Sequence, residues 1–221
     1  MKLTNASCLI LLLALIHTAD AGVMTAGVED DFAGGTEPAS PNPFLVAASP
    51  NVRFFGDFDQ TAGLNGGSSE SPISHMFTFQ PGIVSGTLEL SVLAGQNGGT
   101  VTDAILLSFA DGNGSNFVWQ RSLGARGSDP GLFGGSWTAG RKGSLVLDLS
   151  ALPMIDGSTL DIISQMNTRG FLDVTVADET AVDFYRLSLN SVPEPSTVIC
   201  FCSLMASSLL CRQRRSRLRQ A

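Results

Sequence analysis

Apolar residues in this chain recur at every second position, and that period constrains the fold more than any other feature. In "GTLELSVLA", Leu88, Leu90 and Val92 alternate with Thr87, Glu89 and Ser91. In "SLVLDLSAL", Leu145, Leu147 and Leu149 alternate with Val146, Asp148 and Ser150. In "FLDVTVAD", Leu172, Val174 and Val176 alternate with Phe171, Asp173 and Thr175. Successive side chains of a strand point to opposite faces, so each run predicts a strand with one buried and one solvated face. Residues 44–48, 52–58, 73–79, 103–110, 117–120 and 182–189 are further strand candidates, bounded by turns such as "GQNGG" and "DGNGSN". Leu160, Ile163 and Met166, after Ser158 and before Gly170, predict a short helix or irregular crossover.

The expected fold is therefore all-β: an antiparallel β-sandwich over residues 43–190, jelly-roll-like. An N-terminal signal helix and a C-terminal apolar helix flank it. Residues 22–42 are polar, carry glycine and proline, and lack apolar periodicity, which predicts a flexible leader. No period of about 20 to 50 residues recurs, which excludes a repeat array.

Charge and cysteine separate the body from its ends. Residues 22–195 hold 19 acidic and 7 basic residues, a net charge of −12, whereas residues 212–221 hold five arginines and no acid. Phosphates would be repelled by such a body, so nucleic acid is excluded as its partner. Cys8, Cys200, Cys202 and Cys211 all lie near the ends. The body has neither a disulfide nor a thiolate nucleophile, a composition that suits export.

The first 21 residues read as a signal peptide. Lys2 precedes nine apolar residues, Cys8 to Ile16, and Ala19 and Ala21 are the small residues a signal peptidase reads, with cleavage after Ala21. Nine residues rise only about 14 Å as a helix, far less than the roughly 30 Å of a hydrocarbon core. A buried N-terminal helix is the competing reading. At the other end, residues 191–221 combine a proline-flanked motif at 192–197, a 14-residue apolar run at 198–211 and a basic tail at 212–221. Fourteen residues rise about 21 Å, a short span that requires bilayer thinning or flanking residues. The arginines orient the tail toward the cytoplasm.

Val192-Pro193-Glu194-Pro195-Ser196-Thr197, the apolar run and the basic stop of Arg212, Arg214, Arg215 and Arg217 resemble the PEP-CTERM sorting signal of Gram-negative-type bacteria. In that family an exosortase, a membrane-embedded cysteine transpeptidase, recognises the signal during delivery to the cell surface or extracellular matrix. The resemblance implies signal peptidase and exosortase as partners, transient residence in the inner membrane, and Pro193, Glu194 and Pro195 as the sorting motif. Ser203, Ser207 and Ser208 interrupt the run, a departure from the family pattern. A plain tail anchor is the competing reading; a Leu-Pro-x-Thr-Gly motif is absent, and a glycolipid-anchor signal would end in apolar residues. Both prolines fix φ and remove backbone donors, so the motif should be an extended strip.

The body itself offers little chemistry. His75 is its one histidine, and no Gly-x-Ser-x-Gly elbow accompanies it, so neither a catalytic triad nor a zinc site is expected. No catalytic residue, metal ligand or cofactor is therefore assigned, and the protein reads as a non-enzyme. Structural calcium is the one alternative, at Asp111 in "DGNGSN" or at Asp178 with Asp183, although turn chemistry explains the same residues. Trp119, Trp137 and Tyr185 could line a sugar-binding face or fill the core, with the loop residue Trp137 the better ligand candidate. The expected function is a surface or matrix protein with a structural or adhesive body. A carbohydrate-binding module, taking extracellular polysaccharide, is the alternative, and a glycan-active enzyme the third.

Overall fold

The computed structural model describes residues 20–33, 37–38, 42–48, 57–58, 73–95, 103–113, 117–177 and 180–192. Ala21–Ser191 forms one compact unit; a second unit comprises Met1–Asp20 and Val192–Ala221, of which only Asp20 and Val192 are described. Twelve strands and two helices make up the described elements. They are β1 (Asp20–Gly27), β2 (Glu37–Pro38), α1 (Pro43–Ala48), β3 (Asp57–Phe58), β4 (Ile73–Thr78), β5 (Ile83–Ala94) and β6 (Ala104–Ser108). After these come β7 (Phe117–Ser122), β8 (Lys142–Asp148), β9 (Leu152–Pro153), β10 (Thr159–Leu160), α2 (Ile163–Arg169), β11 (Phe171–Ala177) and β12 (Thr180–Ser191).

Eight of the strands form two four-stranded sheets, ordered β1-β12-β5-β8 and β4-β11-β6-β7. The pairs nest: β6 with β7, β5 with β8 and β4 with β11 are antiparallel, and β1 joins β12 outside them. The period-two pattern fixes which side each sheet buries. Leu88, Leu90 and Val92 of β5 and Leu187 and Leu189 of β12 line the first sheet's inner face. Ile105 and Leu107 of β6 and Leu172, Val174 and Val176 of β11 line the second, and all belong to one core. Burial of apolar surface at roughly 25 cal/mol per Å² holds the two layers together. Tyr185 ties them directly, its hydroxyl donating to the Ile73 carbonyl at 2.7 Å.

Three expectations differ from the structure. Residues 44–48 are helical, because Asn42 accepts the Phe44 N–H at 2.9 Å and Pro43 occupies the first helical position. Residues 22–27, expected in the leader over 22–42, lie in β1, where Ala26 joins the core and Met24 packs against it. Asp173 and Thr175, expected on a solvated face, are buried: Asn42 and Leu45 are buried too, and Asn42 bonds to Asp173. The predicted helix is present as α2 and stops where Gly170 takes a left-handed φ of 72° and donates its N–H to Met166 O. Of residues 52–58, only β3 falls within the described set.

Candidate functional site

The residues expected to direct sorting lie almost entirely outside the described set. Ala19, Pro193, Glu194, Pro195, Arg212, Arg214, Arg215 and Arg217 are not described, nor is the apolar run 198–211. Ala21 is described, exposed on β1. Among the described residues, no helix is long and apolar enough to cross a membrane.

Within the body, His75 lies on β4, the edge strand of its sheet, opposite Val174. Its ring meets Phe77 edge-on at 4.6 Å, and burial lowers its pKa below the ordinary histidine value. Neighbouring strand residues point to opposite faces, so Ser74 is directed away from His75. Ser74 instead accepts a hydrogen bond from Thr175 Oγ1 at 2.9 Å on the outer face. This divergence separates the one body histidine from the adjacent hydroxyls.

Asp111 accepts the Asn113 N–H at 2.8 Å and pairs with the Arg169 guanidinium. The Asn113 backbone bond, with help from Arg169, holds its carboxyl below the usual range. Asp183 ties the strand to a loop: its Oδ1 accepts the N–H groups of Asp30 at 3.3 Å and Phe32 at 3.2 Å. Asp178 is not described. Among the described residues, no three of His, Cys, Asp and Glu converge as metal ligands would.

The aromatic candidates are core residues. Trp137 is 0% exposed, stacked on Phe133 at 4.8 Å, and donates its Nε1–H to Thr180 Oγ1 at 2.8 Å. Thr180 in turn donates to the Asp103 carboxylate. Trp119 donates to the Pro153 carbonyl at 2.9 Å, and burial pushes the Tyr185 phenol well above its ordinary pKa. The expectation that Trp137 presents itself to a ligand from a loop is thus corrected: the loop folds its indole back into the core. Among the described residues, the exposed aromatic side chains are Phe44 and Phe117.

Two buried polar clusters were not visible in the sequence. In the first, Arg121 of β7 grips Asp129, donating from Nε to both carboxylate oxygens at 3.1 and 3.0 Å and from Nη2 to Oδ1 at 2.7 Å. These bonds, together with the Gly131 and Ser122 N–H groups, hold the Asp129 pKa down to about 2.

The second cluster centres on Asp173 of β11, 0% exposed. Its Oδ2 accepts from Ala110 N at 3.0 Å, Asn42 Nδ2 at 3.1 Å and Ser108 Oγ at 3.4 Å. Its Oδ1 has no hydrogen-bond partner among the described residues. Removal from water outweighs those three bonds and raises the pKa to about 6. A displaced carboxyl pKa marks a group for which protonation has structural consequences.

No family model matches the sequence, and no curated protein does. Among solved structures, the chain is similar to one from the infectious bursal disease virus Gx strain, at 10% identity over 79% of this chain, with a TM-score of 0.33. It spans about a third of that viral chain's length, 34%. It is similar also to the CBM2 module of the evolved Dit of Lactobacillus casei phage J-1, at 9% identity over 80% of this chain and 100% of the module, with a TM-score of 0.40. A third likeness is to a cleaved adhesin domain of Lys-gingipain from Porphyromonas gingivalis, at 13% identity over 80% of this chain and 100% of that domain, with a TM-score of 0.30. Likenesses this distant transfer no function to the chain.

Proposed function

We propose that this is an exported protein, held in the membrane by residues 198–211 and sorted by an exosortase-type transpeptidase to the cell surface or extracellular matrix. Its body is a jelly roll with a structural or adhesive role and no catalytic one. The observation that carries the sorting reading is the order of three pieces: Pro193-Glu194-Pro195, then the apolar run, then Arg212, Arg214, Arg215 and Arg217. The jelly-roll reading is supported by the four nested strand pairs, three of them shown antiparallel, since rolling up such nested pairs produces two interleaved sheets of this order. The non-catalytic reading is supported by the divergence of His75 and Ser74 on opposite faces of β4.

Replacing Pro193, Glu194 and Pro195 together with alanine tests the sorting reading. The variant keeps the apolar run and the arginines, so it should still be exported and held in the membrane. In a host with an exosortase it should accumulate unprocessed with its basic tail intact, while the wild type loses the tail. Equal tail loss or equal retention in both forms would leave the motif a proline linker and the tail a plain anchor.

A further inference from the structure

We propose that Asp173 is a proton-operated clamp that closes the arm at Asn42 over the outer face of the β4-β11-β6-β7 sheet. This inference is independent of the sorting reading. Three features of the geometry carry it. Among the described residues, the arm's side-chain hydrogen bonds to the sheet come from Asn42, whose Nδ2 donates both to Asp173 Oδ2 and to the Ala110 carbonyl, the latter at 2.8 Å, while Leu45 is buried beside it. The same amide starts α1 through its Oδ1, so the contact with Asp173 and the helical turn of the arm stand or fall together. Finally, every donor reaching the carboxylate goes to Oδ2, while Oδ1 is buried without a partner among the described residues.

An ionised carboxylate with one oxygen desolvated and unbonded is costly, whereas a protonated one is cheap to bury. Among the described residues, no neighbouring charge offsets that cost. The surrounding elements present Met76 from β4, Ser108 from β6, Ala110 from the turn after β6, and Asn42 from the arm, all uncharged. Asp111, the next residue along that turn, has its carboxylate engaged by Arg169. His75 belongs to β4's opposite face. Lifting the arm admits water to Oδ1, and the carboxyl then returns to its ordinary value.

The sign follows from linkage. The closed form binds the proton more tightly than the open form, with a pKa of about 6 against 3.8. Closure is therefore fully favoured below pH 3.8 and is weakened as pH rises through about 6. A displacement of about two pKa units corresponds to a roughly 100-fold larger opening constant at neutral pH than at pH 4. Opening would uncover the Asp173 carboxylate, which is 0% exposed in the closed form.

Amide-hydrogen exchange of the full chain, read by mass spectrometry and corrected for the intrinsic pH dependence of exchange, tests this. Between pH 4 and pH 8 the opening constant for a peptide covering α1 should rise about 100-fold, with a midpoint near pH 6. A peptide from β12 should not follow it. Asp173→Asn should abolish the rise, and Asn42→Ala should leave the arm open at every pH. An arm peptide whose opening is flat in the wild type, or rises equally in Asp173→Asn, would overturn the clamp. Should Asp173→Asn fail to fold, carbon-13 titration of the wild-type Asp173 carboxyl decides: a midpoint coinciding with arm opening supports the clamp, and one near 3.8 overturns it.

Discussion

Arg121 and Asp129 are joined by three hydrogen bonds while each side chain is less than a tenth exposed. Both partners make further bonds. Arg121 Nη1 donates to the Pro153 carbonyl at 3.0 Å, and Asp129 accepts the N–H groups of Ser122 at 3.1 Å and Gly131 at 2.8 Å. The pair thereby fastens the end of β7 to the turn that follows it and to β9.

Breaking one partner of such a pair strands a buried charge, so Asp129→Ala should cost about 3–5 kcal/mol in a denaturant titration. The pH dependence has a definite sign. A carboxyl held down to about 2 contributes stability that is present above its ordinary value of 3.8 and lost as pH falls through about 2. That contribution is about 2 kcal/mol. The difference in unfolding free energy between wild type and Asp129→Asn should therefore shrink from pH 5 to pH 2; a constant difference would show that the charge is not what matters.

Trp137→Ala should destabilise the body by about 3–5 kcal/mol, the usual cost of emptying a large aromatic site. Any affinity for soluble polysaccharide should be unchanged at temperatures where the variant is folded. Affinity lost without a fall in melting temperature would return Trp137 to the role of a ligand residue.

Two left-handed glycines in one loop should respond differently to alanine. Gly131 has φ +73°, and an added Cβ would lie 2.2 Å from the Gly124 carbonyl carbon. Gly134 has φ +62° with nothing within 4 Å. Gly134→Ala should cost only the backbone strain, about 1 kcal/mol. Gly131→Ala adds a backbone collision and should cost more than about 2 kcal/mol. Equal melting temperatures for the two variants would contradict this local packing.

Amino-terminal sequencing of protein released from its native host should begin at Gly22. Cleavage there removes only Asp20 and Ala21 from β1 and leaves Met24 and Ala26, the residues that pack on the core. An intact Met1 on surface protein would refute the signal peptide.

The sheets were legible in the sequence because their signal is local. Alternation in residues 86–94, 144–152 and 171–178 marks β5, β8 and β11, and Ser158 with Gly170 brackets α2. What escaped depends on contacts between distant positions. Nothing near Asp173 reports that Asn42, 131 residues earlier, will cover it. Trp137 reads as an exposed loop residue because Thr180, its hydrogen-bond partner, lies 43 residues further on. β1 was missed for another reason: its inward positions are a methionine and an alanine among glycines, too small and mixed to register as periodic. The buried candidate site was hidden for the same physical cause as the arm, since alternation states which residues share a face but not what covers it.

The place of β12 between β1 and β5 has a kinetic consequence. The strand that completes the first sheet is the last of the body to be synthesised, and it supplies both partners on its flanks. Asp30 and Asp183, bonded across that junction, are 153 residues apart. Closing so long a loop is a slow, entropically opposed step, of the kind that places all-β domains in the millisecond-to-second range. Until residue 191 has emerged, β1 lacks its neighbour in the sheet and one edge of β5 stands open to any extended chain that arrives first.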